Sequence, residues 1–440
     1  MNESPSDQHP VKHDPLIALR QPRFLLYVSS RVFSGTGQAM LQAILLWHVY
    51  DITNSELSLG FLGLARFFPA LGMSMIGGAV ADTYNRRNII LVAQTVPLAC
   101  GVVLAVSTLN GWVTPELIYG LVLLIGLASS FEGPARVALL PAIVRPETFA
   151  NAVTVTSTLQ TLGMVTGPLI GGAIIAGVDI GTSYVVYTIL LSIALCTLLF
   201  LRYEQATGGP KREVSVAAIK EGIDYVFKRQ PLLGAMSLDM FAVLFGGAKG
   251  LLPVYARDIL DTGPVGYTIL LSSLEIGAVV MSVALVLRPP IYRSGRALVY
   301  SVAVFGLLTM AFGISRNLYL SIALYMLIGA ADEISVVMRN VIIQLTTPDE
   351  LRGRVSSVNQ VFIQASNQLG SMESGFLAAI TSATFAVVSG GAAALVIAGA
   401  IGYRMRELYD YVTTVHGAAH MPTKAHTADD AAAGGSGGSS

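Results

Sequence analysis

Gly78-Ala79-Val80-Ala81-Asp82-Thr83-Tyr84-Asn85-Arg86-Arg87 is the stretch on which the reading of this chain turns. It stands where a long apolar run, Leu57 to Val80, stops. Small residues end a helix, an acid follows, and two arginines come within about one further turn. A carboxylate at the edge of a low-dielectric medium requires a partner, because an unpaired charge there is costly. The arrangement reads as a gate rather than a passive loop.

The apolar run is one of many. The 440 residues are 53% hydrophobic and 12% charged, against roughly 25% charged in soluble proteins. That apolar mass is too large for one soluble core and too evenly spread for a tail anchor, so the chain is expected to sit in lipid. Net charge is zero, from 27 basic and 27 acidic residues, and no nucleic-acid partner is suggested. Cys100 and Cys196 both lie inside apolar runs and read as small packing residues rather than a disulfide. The polar segment 1–23 lacks the short apolar core of a cleaved signal peptide, and none is expected. The Ala-, Gly- and Ser-rich end, Gly434 to Ser440 above all, reads as a flexible tail.

A spanning helix needs about 20 mostly apolar residues. On that measure the first half offers spans at 24–48, 57–80, 88–109, 115–137, 149–175 and 183–201. The second half offers 233–256, 265–287, 297–314, 317–339, 355–381 and 385–403. One set of connections holds Arg20, Arg23, Arg86, Arg87, Arg145, Arg293, Arg296, Arg352, Arg354, Arg404 and Arg406, among others. The alternate set holds only Arg257 and Arg316. Basic loops stay cytoplasmic, so both termini are expected inside, which requires an even number of spans. The predicted organisation is a tail 1–23, a bundle 24–201, a linker 202–232, a second bundle 233–403 and a tail 404–440. Within the linker, Val216, Ile219, Ile223 and Val226 have helical spacing. A helix lying on the membrane face and a solvated linker helix fit that spacing equally.

The halves also repeat. Gly126 and Arg136 match Gly329 and Arg339 at one separation, and Gly167 and Gly172 match Gly370 and Gly375. Arg145-Pro146-Glu147 matches Thr347-Pro348-Asp349-Glu350. A repeat at half the chain length is the signature of two bundles around a central pathway. The fold class expected is therefore an all-α membrane protein with twelve transmembrane helices in two six-helix bundles.

With the opening motif, this pattern resembles the major facilitator superfamily. The family pattern between its second and third helices is Gly, three residues, Asp, Arg, any, Gly, Arg, Arg/Lys. Gly78, Asp82, Arg86 and Arg87 match it. Thr83 replaces an arginine and removes one cation of the family's charge relay. Asn85 replaces a glycine, a mild change if the backbone there is left-handed, since Asn tolerates that region. Gly163-Met164-Val165-Thr166-Gly167-Pro168-Leu169-Ile170-Gly171-Gly172 matches the fifth-helix pattern of the family's exporters. The alternative for Gly163, Gly167, Pro168, Gly171 and Gly172 is a tight helix crossing with no bearing on direction. Arg31, Ala81-Asp82 and Thr347 to Val355 are similar to the enterobactin-exporter branch, which includes macrolide and multidrug efflux proteins.

Ionisable groups inside spans cost about 2.5–3.5 kcal/mol each even on lenient scales, so each needs a reason. Glu132 and Arg136 are four apart, on one helix face and in the favourable order for an ion pair. Arg136, near the end of its helix, is placed to reach Asp82. With Arg86 and Arg87 these form the expected inner gate, which the resemblance supports; a static pair at the headgroup level is the alternative. Glu275 has no base three or four residues away. It must face a cavity, pair across helices or be protonated, and it leads the proton-coupling candidates, followed by Glu373, Glu333 and Glu132. Arg31 and Arg66 lie inside helices and cannot readily lose their charge. Each pairs with an acid or faces an anionic substrate group, as a catechol-type siderophore would supply. Gln38 and Gln364 add neutral hydrogen-bonding groups to the expected substrate cavity.

Five of the six histidines lie in the terminal tails, and no phosphate-cradling loop or clustered Cys/His spacing occurs. No metal, cofactor or enzyme activity is expected. The expected function is a secondary active exporter in the bacterial cytoplasmic membrane, working as a monomer. It would move a siderophore or amphipathic drug by alternating access, with proton antiport. An importer or uniporter of the same fold remains open, as does a membrane receptor or scaffold, although a scaffold leaves the repeat and the buried charges unexplained.

Overall fold

In lipid every backbone N–H and C=O must find its partner within the protein, and a helix achieves that locally. A computed structural model of the protein describes residues 17–72, 80, 83–203 and 216–413. Six long helices come first: α1 (Pro22–Thr53), α2 (Glu56–Gly72), α3 (Arg86–Leu109), α4 (Pro115–Ile143), α5 (Phe149–Gly177) and α6 (Ile180–Leu199). A shorter α7 (Val216–Lys228) follows. Six more complete the fold: α8 (Gln230–Gly246), α9 (Gly263–Leu287), α10 (Ser294–Ile314), α11 (Leu318–Thr346), α12 (Arg352–Ile380) and α13 (Ala383–Arg404). Nine of the described segments are long and apolar enough to cross a membrane on length and composition alone. Of the remaining three, α2 is described for only 17 residues, and α1 and α12 interleave Gln, Ser and Gly among their apolar residues. The face bearing the start of α1 and the end of α13 is here called the terminal face, and the opposite one the far face.

Helix ends are set by local chemistry. Asn54 ends α1 in the left-handed region (φ 47°). Asp179 caps α6, accepting hydrogen bonds from the Thr182 N–H at 2.8 Å and the Thr182 hydroxyl at 2.6 Å. Those bonds favour the ionised form and hold the Asp179 carboxyl below its usual range. Asn85 corrects the expectation placed on it. Its backbone is extended (φ −60°, ψ 114°), and its side chain accepts from the N–H groups of Arg87 and Asn88 as the N-cap of α3. The residue serves here as a cap, and left-handed tolerance plays no part.

Four spans differ from their expected form, the first of them α1, expected to end at 48 and running to Thr53. The helix expected to end at 137 runs to Ile143 with Pro141 inside it, and the one expected to end at 339 runs to Thr346. Arg136 and Arg339 therefore each sit seven residues inside a helix, about 10 Å from its end. The span expected as 233–256 is interrupted: α8 stops at Gly246, a 3-10 turn covers Ala248–Leu251, and a π turn covers Tyr255–Ile259. Gly246-Gly247 releases the helix, and Pro253 denies it an interior N–H.

The repeat is visible as packing. A side chain at Gly126 would strike Pro69 of α2 at 2.8 Å, and one at Gly329 the Leu274 carbonyl of α9 at 2.0 Å. Gly167 lies against α1, 2.6 Å from the Thr36 oxygen by the same measure, and Gly370 lies against α8, 2.7 Å from the Val243 oxygen. The second member of each matched pair crosses between the bundles. A Cβ at Gly172 would fall 2.1 Å from the Thr268 hydroxyl of α9, and one at Gly375 2.5 Å from the Gly60 nitrogen of α2.

Buried charges complete the bundles. Arg339 of α11 pairs with Asp239 of α8, both almost fully buried. In the first bundle Arg136 pairs with Glu132 of its own helix at 2.6 Å. The residue matching Glu132 in the repeat is Ser335, so the second bundle draws its acid from another helix. The linker helix α7 docks on the second bundle. Val226 is buried with Met236, Ile343, Val355 and Val358, the Tyr225 hydroxyl donates to the Thr346 carbonyl at 2.9 Å, and Glu221 pairs with Arg354.

Two measurements follow. Gly375→Ala should cost about 1–3 kcal/mol by overpacking, lowering the thermal midpoint in detergent. Gly399→Ala, whose added methyl meets nothing within 4 Å, should be neutral or stabilise by about 0.5–1 kcal/mol. Equal shifts would contradict the close-approach argument. Asp239→Ala should destabilise by about 3–5 kcal/mol, because it strands Arg339. Adding Arg339→Met should recover part of that loss in the same unfolding measurement; a double variant weaker than the single would overturn the pairing.

Candidate functional site

The two bundles meet along α5–α9 and α2–α12, and their contacts run from mid-depth to the far face. At mid-depth the Ser272 hydroxyl donates to the Val165 carbonyl at 3.2 Å. Further out, the Tyr267 hydroxyl donates to the Ala43 carbonyl at 3.1 Å, and its ring stacks obliquely on Trp47. At the far face the Tyr50 hydroxyl donates to Asp258, and Arg257 pairs with Asp51 at 3.3 Å. The π turn sets Arg257 and Asp258 opposite Tyr50 and Asp51 at the end of α1. These four are the hydrogen bonds that join the bundles among the described residues. Apolar packing has the same asymmetry. One buried cluster runs from Met40, Leu59 and Tyr184 of the first bundle into Leu251, Tyr267 and Leu271 of the second. The terminal-face core of the first bundle, including Phe24, Ile90, Leu139 and Leu198, is separate from it.

Beneath this closure lies a cavity of about 160 Å³ shared by both bundles. Arg31, Gln38 and Gln42 of α1 and Gln160 and Pro168 of α5 line one wall, and Lys249 and Glu275 line the other. Arg31 donates to the Gln160 side-chain oxygen at 2.9 Å. Lys249 stands 3.6 Å from Glu275. The interruption after α8 turns this lysine toward α9. The pair is half-exposed to the cavity and loosely spaced, so it rearranges at little cost. Asp332 and Glu333 of α11 lie within electrostatic reach of Glu275, and Asp332 also of Lys249.

The predicted cavity residues Arg31 and Gln38 and the leading acid Glu275 thus come together. Arg66 and Gln364 are not among the residues that line the cavity. Arg66 is on α2 beside Tyr267, with one terminal nitrogen buried and without a hydrogen-bond partner among the described residues. Glu373 lies at the α2–α12 crossing, next to Met372, whose backbone abuts Gly63. Glu333 accepts a hydrogen bond from Ser282. Lys249 as the partner of Glu275 was not foreseen; glycines at 246, 247 and 250 and Pro253 interrupting a span were the available signal.

Of the expected inner gate, Asp82 lies outside the described residues, as does Gly78 of the same motif. Arg136 is bound by Glu132, by the Ser34 hydroxyl at 3.2 Å and by Ser30 at 3.5 Å, and Gln94 donates to Glu132 at 3.1 Å. Arg86 donates to the Ala138 carbonyl at 2.8 Å, and Arg87 to those of Leu198 and Leu199 at 3.2 and 2.7 Å. These cations serve carbonyls near helix C-terminal ends, where the helix dipole favours positive charge. In the fifth-helix motif, Gly163 and Gly167 face Thr36, Gly171 faces Met40 and Gly172 faces Thr268. Pro168 interrupts the backbone hydrogen bonding at the cavity wall.

The family model for transmembrane secretion effectors matches residues 13–429. The chain is similar to the multidrug efflux pump Tap of Mycolicibacterium fortuitum, 26% identical over 367 residues, covering 80% of this chain and 88% of that protein. It is also similar to the enterobactin exporter EntS of Escherichia coli O1:K1 / APEC, 25% identical over 368 residues, covering 82% and 86%. Among solved structures it resembles a bacterial homologue of the human lysosomal transporter Spinster, with TM-score 0.67 and 14% identity over 88% of this chain and 97% of the other. The nucleoside transporter NupG superposes with TM-score 0.62 at 14% identity, over 88% and 99%. Twelve long helices in two bundles among the described residues, a charged cavity between them and the family match agree: the chain is a multi-pass membrane transporter, not an enzyme, and belongs to the transmembrane secretion effector family of the major facilitator superfamily.

Proposed function

We propose that the protein is a secondary active exporter, moving a small amphipathic molecule outward across the bacterial cytoplasmic membrane in exchange for protons. The observation that carries this reading is the one-sided closure. The core is continuous between the bundles at the far face, while the first bundle has a separate core at the terminal face. If the terminal face is cytoplasmic, as its basic loops favour, the cavity is poised to receive cargo from inside. The units that rock are 24–201 and 233–403. The far-face lock includes the solvent-exposed Arg257–Asp51 pair, worth about 0–1 kcal/mol and weak enough to open and re-form in every cycle. Asp82, Arg86, Arg87 and Arg136 are the groups assigned to closing the terminal face. Glu275 is assigned to the proton: it faces the cavity, and its loose bond to Lys249 can be exchanged for a proton. The fifth-helix glycines, and relatives named for efflux and export, support the outward direction. Siderophore and amphipathic-drug cargo both remain consistent with the reading.

Inside-out vesicles with an acidic lumen should accumulate a fluorescent amphiphile from a small panel, and collapse of the gradient should abolish that uptake. Uptake indifferent to the gradient would sink proton antiport. Glu275→Gln should retain gradient-independent exchange but lose driven accumulation; full driven accumulation in the variant removes Glu275 from the role. For the far-face lock, Asp51→Cys and Arg257→Cys are combined in a background carrying Cys100→Ser and Cys196→Ser. A short bifunctional thiol reagent should then arrest transport, and each single cysteine should be insensitive. Undiminished transport by the cross-linked protein would refute alternating closure at this face.

A further inference from the structure

Charge is unevenly divided between the two walls of the cavity. Arg31 and Lys249 bring two cations to its walls, and Glu275 brings one carboxylate. Glu275 engages Lys249, whereas the partner of Arg31 is the neutral amide oxygen of Gln160. The further charges that act on Arg31, Glu132 and Arg136, neutralise one another at 2.6 Å. On the opposite side Asp332 and Glu333 add two acids within electrostatic reach of Glu275, so negative charge gathers around Lys249, while Arg31 is left with only a neutral amide as its partner. A guanidinium cannot escape the cost by deprotonating; it needs an anion or solvent.

The surroundings state what kind of anion. Arg31 presents a planar fork of N–H donors suited to an oxyanion, and Lys249 faces it from the other bundle. Gln38 and Gln42 supply neutral amide groups along the same wall. Gly35 opens directly onto the space, since a Cβ built there meets nothing within 4 Å. A volume of about 160 Å³ leaves room for several waters or a small polar group. That suits the polar head of a molecule whose apolar body lies elsewhere between the bundles.

We propose that this cavity binds the anionic head group of the cargo, a carboxylate or comparable oxyanion, between Arg31 and Lys249, with Glu275 competing for Lys249. The cargo class is thus an amphiphile carrying a negative charge. Binding of the head group from both walls displaces Glu275 from Lys249 and links the two bundles through one ligand. The inference rests on the transport reading above for its biological meaning, but not for its test, which measures binding in detergent without direction or gradient.

The probes are dansylglycine, its neutral amide and dansylcadaverine, which share a fluorophore and differ in charge. Fluorescence titration of the full-length purified protein should show dansylglycine binding at least tenfold more tightly than the other two. Arg31→Gln and Lys249→Gln should each erase that preference. Glu275→Gln should tighten dansylglycine severalfold, because its competitor is gone. Gly35→Leu leaves every charge in place and fills the open space; it should abolish binding with an unchanged thermal midpoint. Preference for the amine or amide, no preference, or no binding of any probe would each overturn the proposal. So would displacement of dansylglycine by added phosphatidylglycerol, which would give the site to a lipid headgroup. A carboxylate preference together with gradient-independent vesicle uptake would leave this site standing and remove the antiport reading alone.

Discussion

Close helix approach at four glycines is the constraint on which the rest of the architecture depends. Gly172 brings α5 onto Thr268 of α9, and Gly375 brings α12 onto Gly60 of α2, at distances where no side chain fits. Lipid supplies no hydrophobic drive for one helix to leave it for another, so the association rests on dispersion and small residues. These crossings close the far side of the molecule and fix the depth at which the cavity begins. Because each is matched by an equivalent glycine inside its own bundle, at Gly167 and Gly370, the same two helices serve as internal struts and as the contact surface between bundles.

The charges divide into two classes by what surrounds them. Asp239–Arg339 and Glu132–Arg136 are buried within single bundles, and breaking either leaves an uncompensated charge. They hold the helices of each bundle in fixed relation to one another. Lys249–Glu275 and Asp51–Arg257 are half-exposed and looser, and the second of these bridges the bundles. A transporter needs both classes: strong pairs where geometry must not change, and weak ones where it must.

Broken helix geometry explains why the cavity carries a lysine at all. A regular helix through 246–259 would turn its residues in a fixed progression around one axis. The 3-10 turn at Ala248–Leu251 and the π turn at Tyr255–Ile259 instead reset that progression twice. The first places Lys249 against Glu275 and the second places Arg257 and Asp258 against the end of α1. Interrupted helices at the interface of repeats are where transporters keep their sites.

Apolar run length, the basic-loop asymmetry and the glycine and arginine repeat were enough to read twelve helices in two bundles from the chain alone. The physical reason is that lipid leaves a polypeptide few choices, so local composition nearly dictates the fold. Glu132–Arg136 was legible too, because a spacing of four on one helix is a local property. Arg31, Gln38 and Glu275 were recognisable as misplaced polar groups, but their meeting in one cavity was not, since they come from helices far apart in sequence. Lys249 for Glu275, Asp239 for Arg339 and the twin pairs at the far face depend on how two bundles lean together and on turns that redirect single side chains. Composition along the chain shows which groups must find partners; the partners themselves are chosen by packing between helices, which leaves no periodic trace in the order of residues.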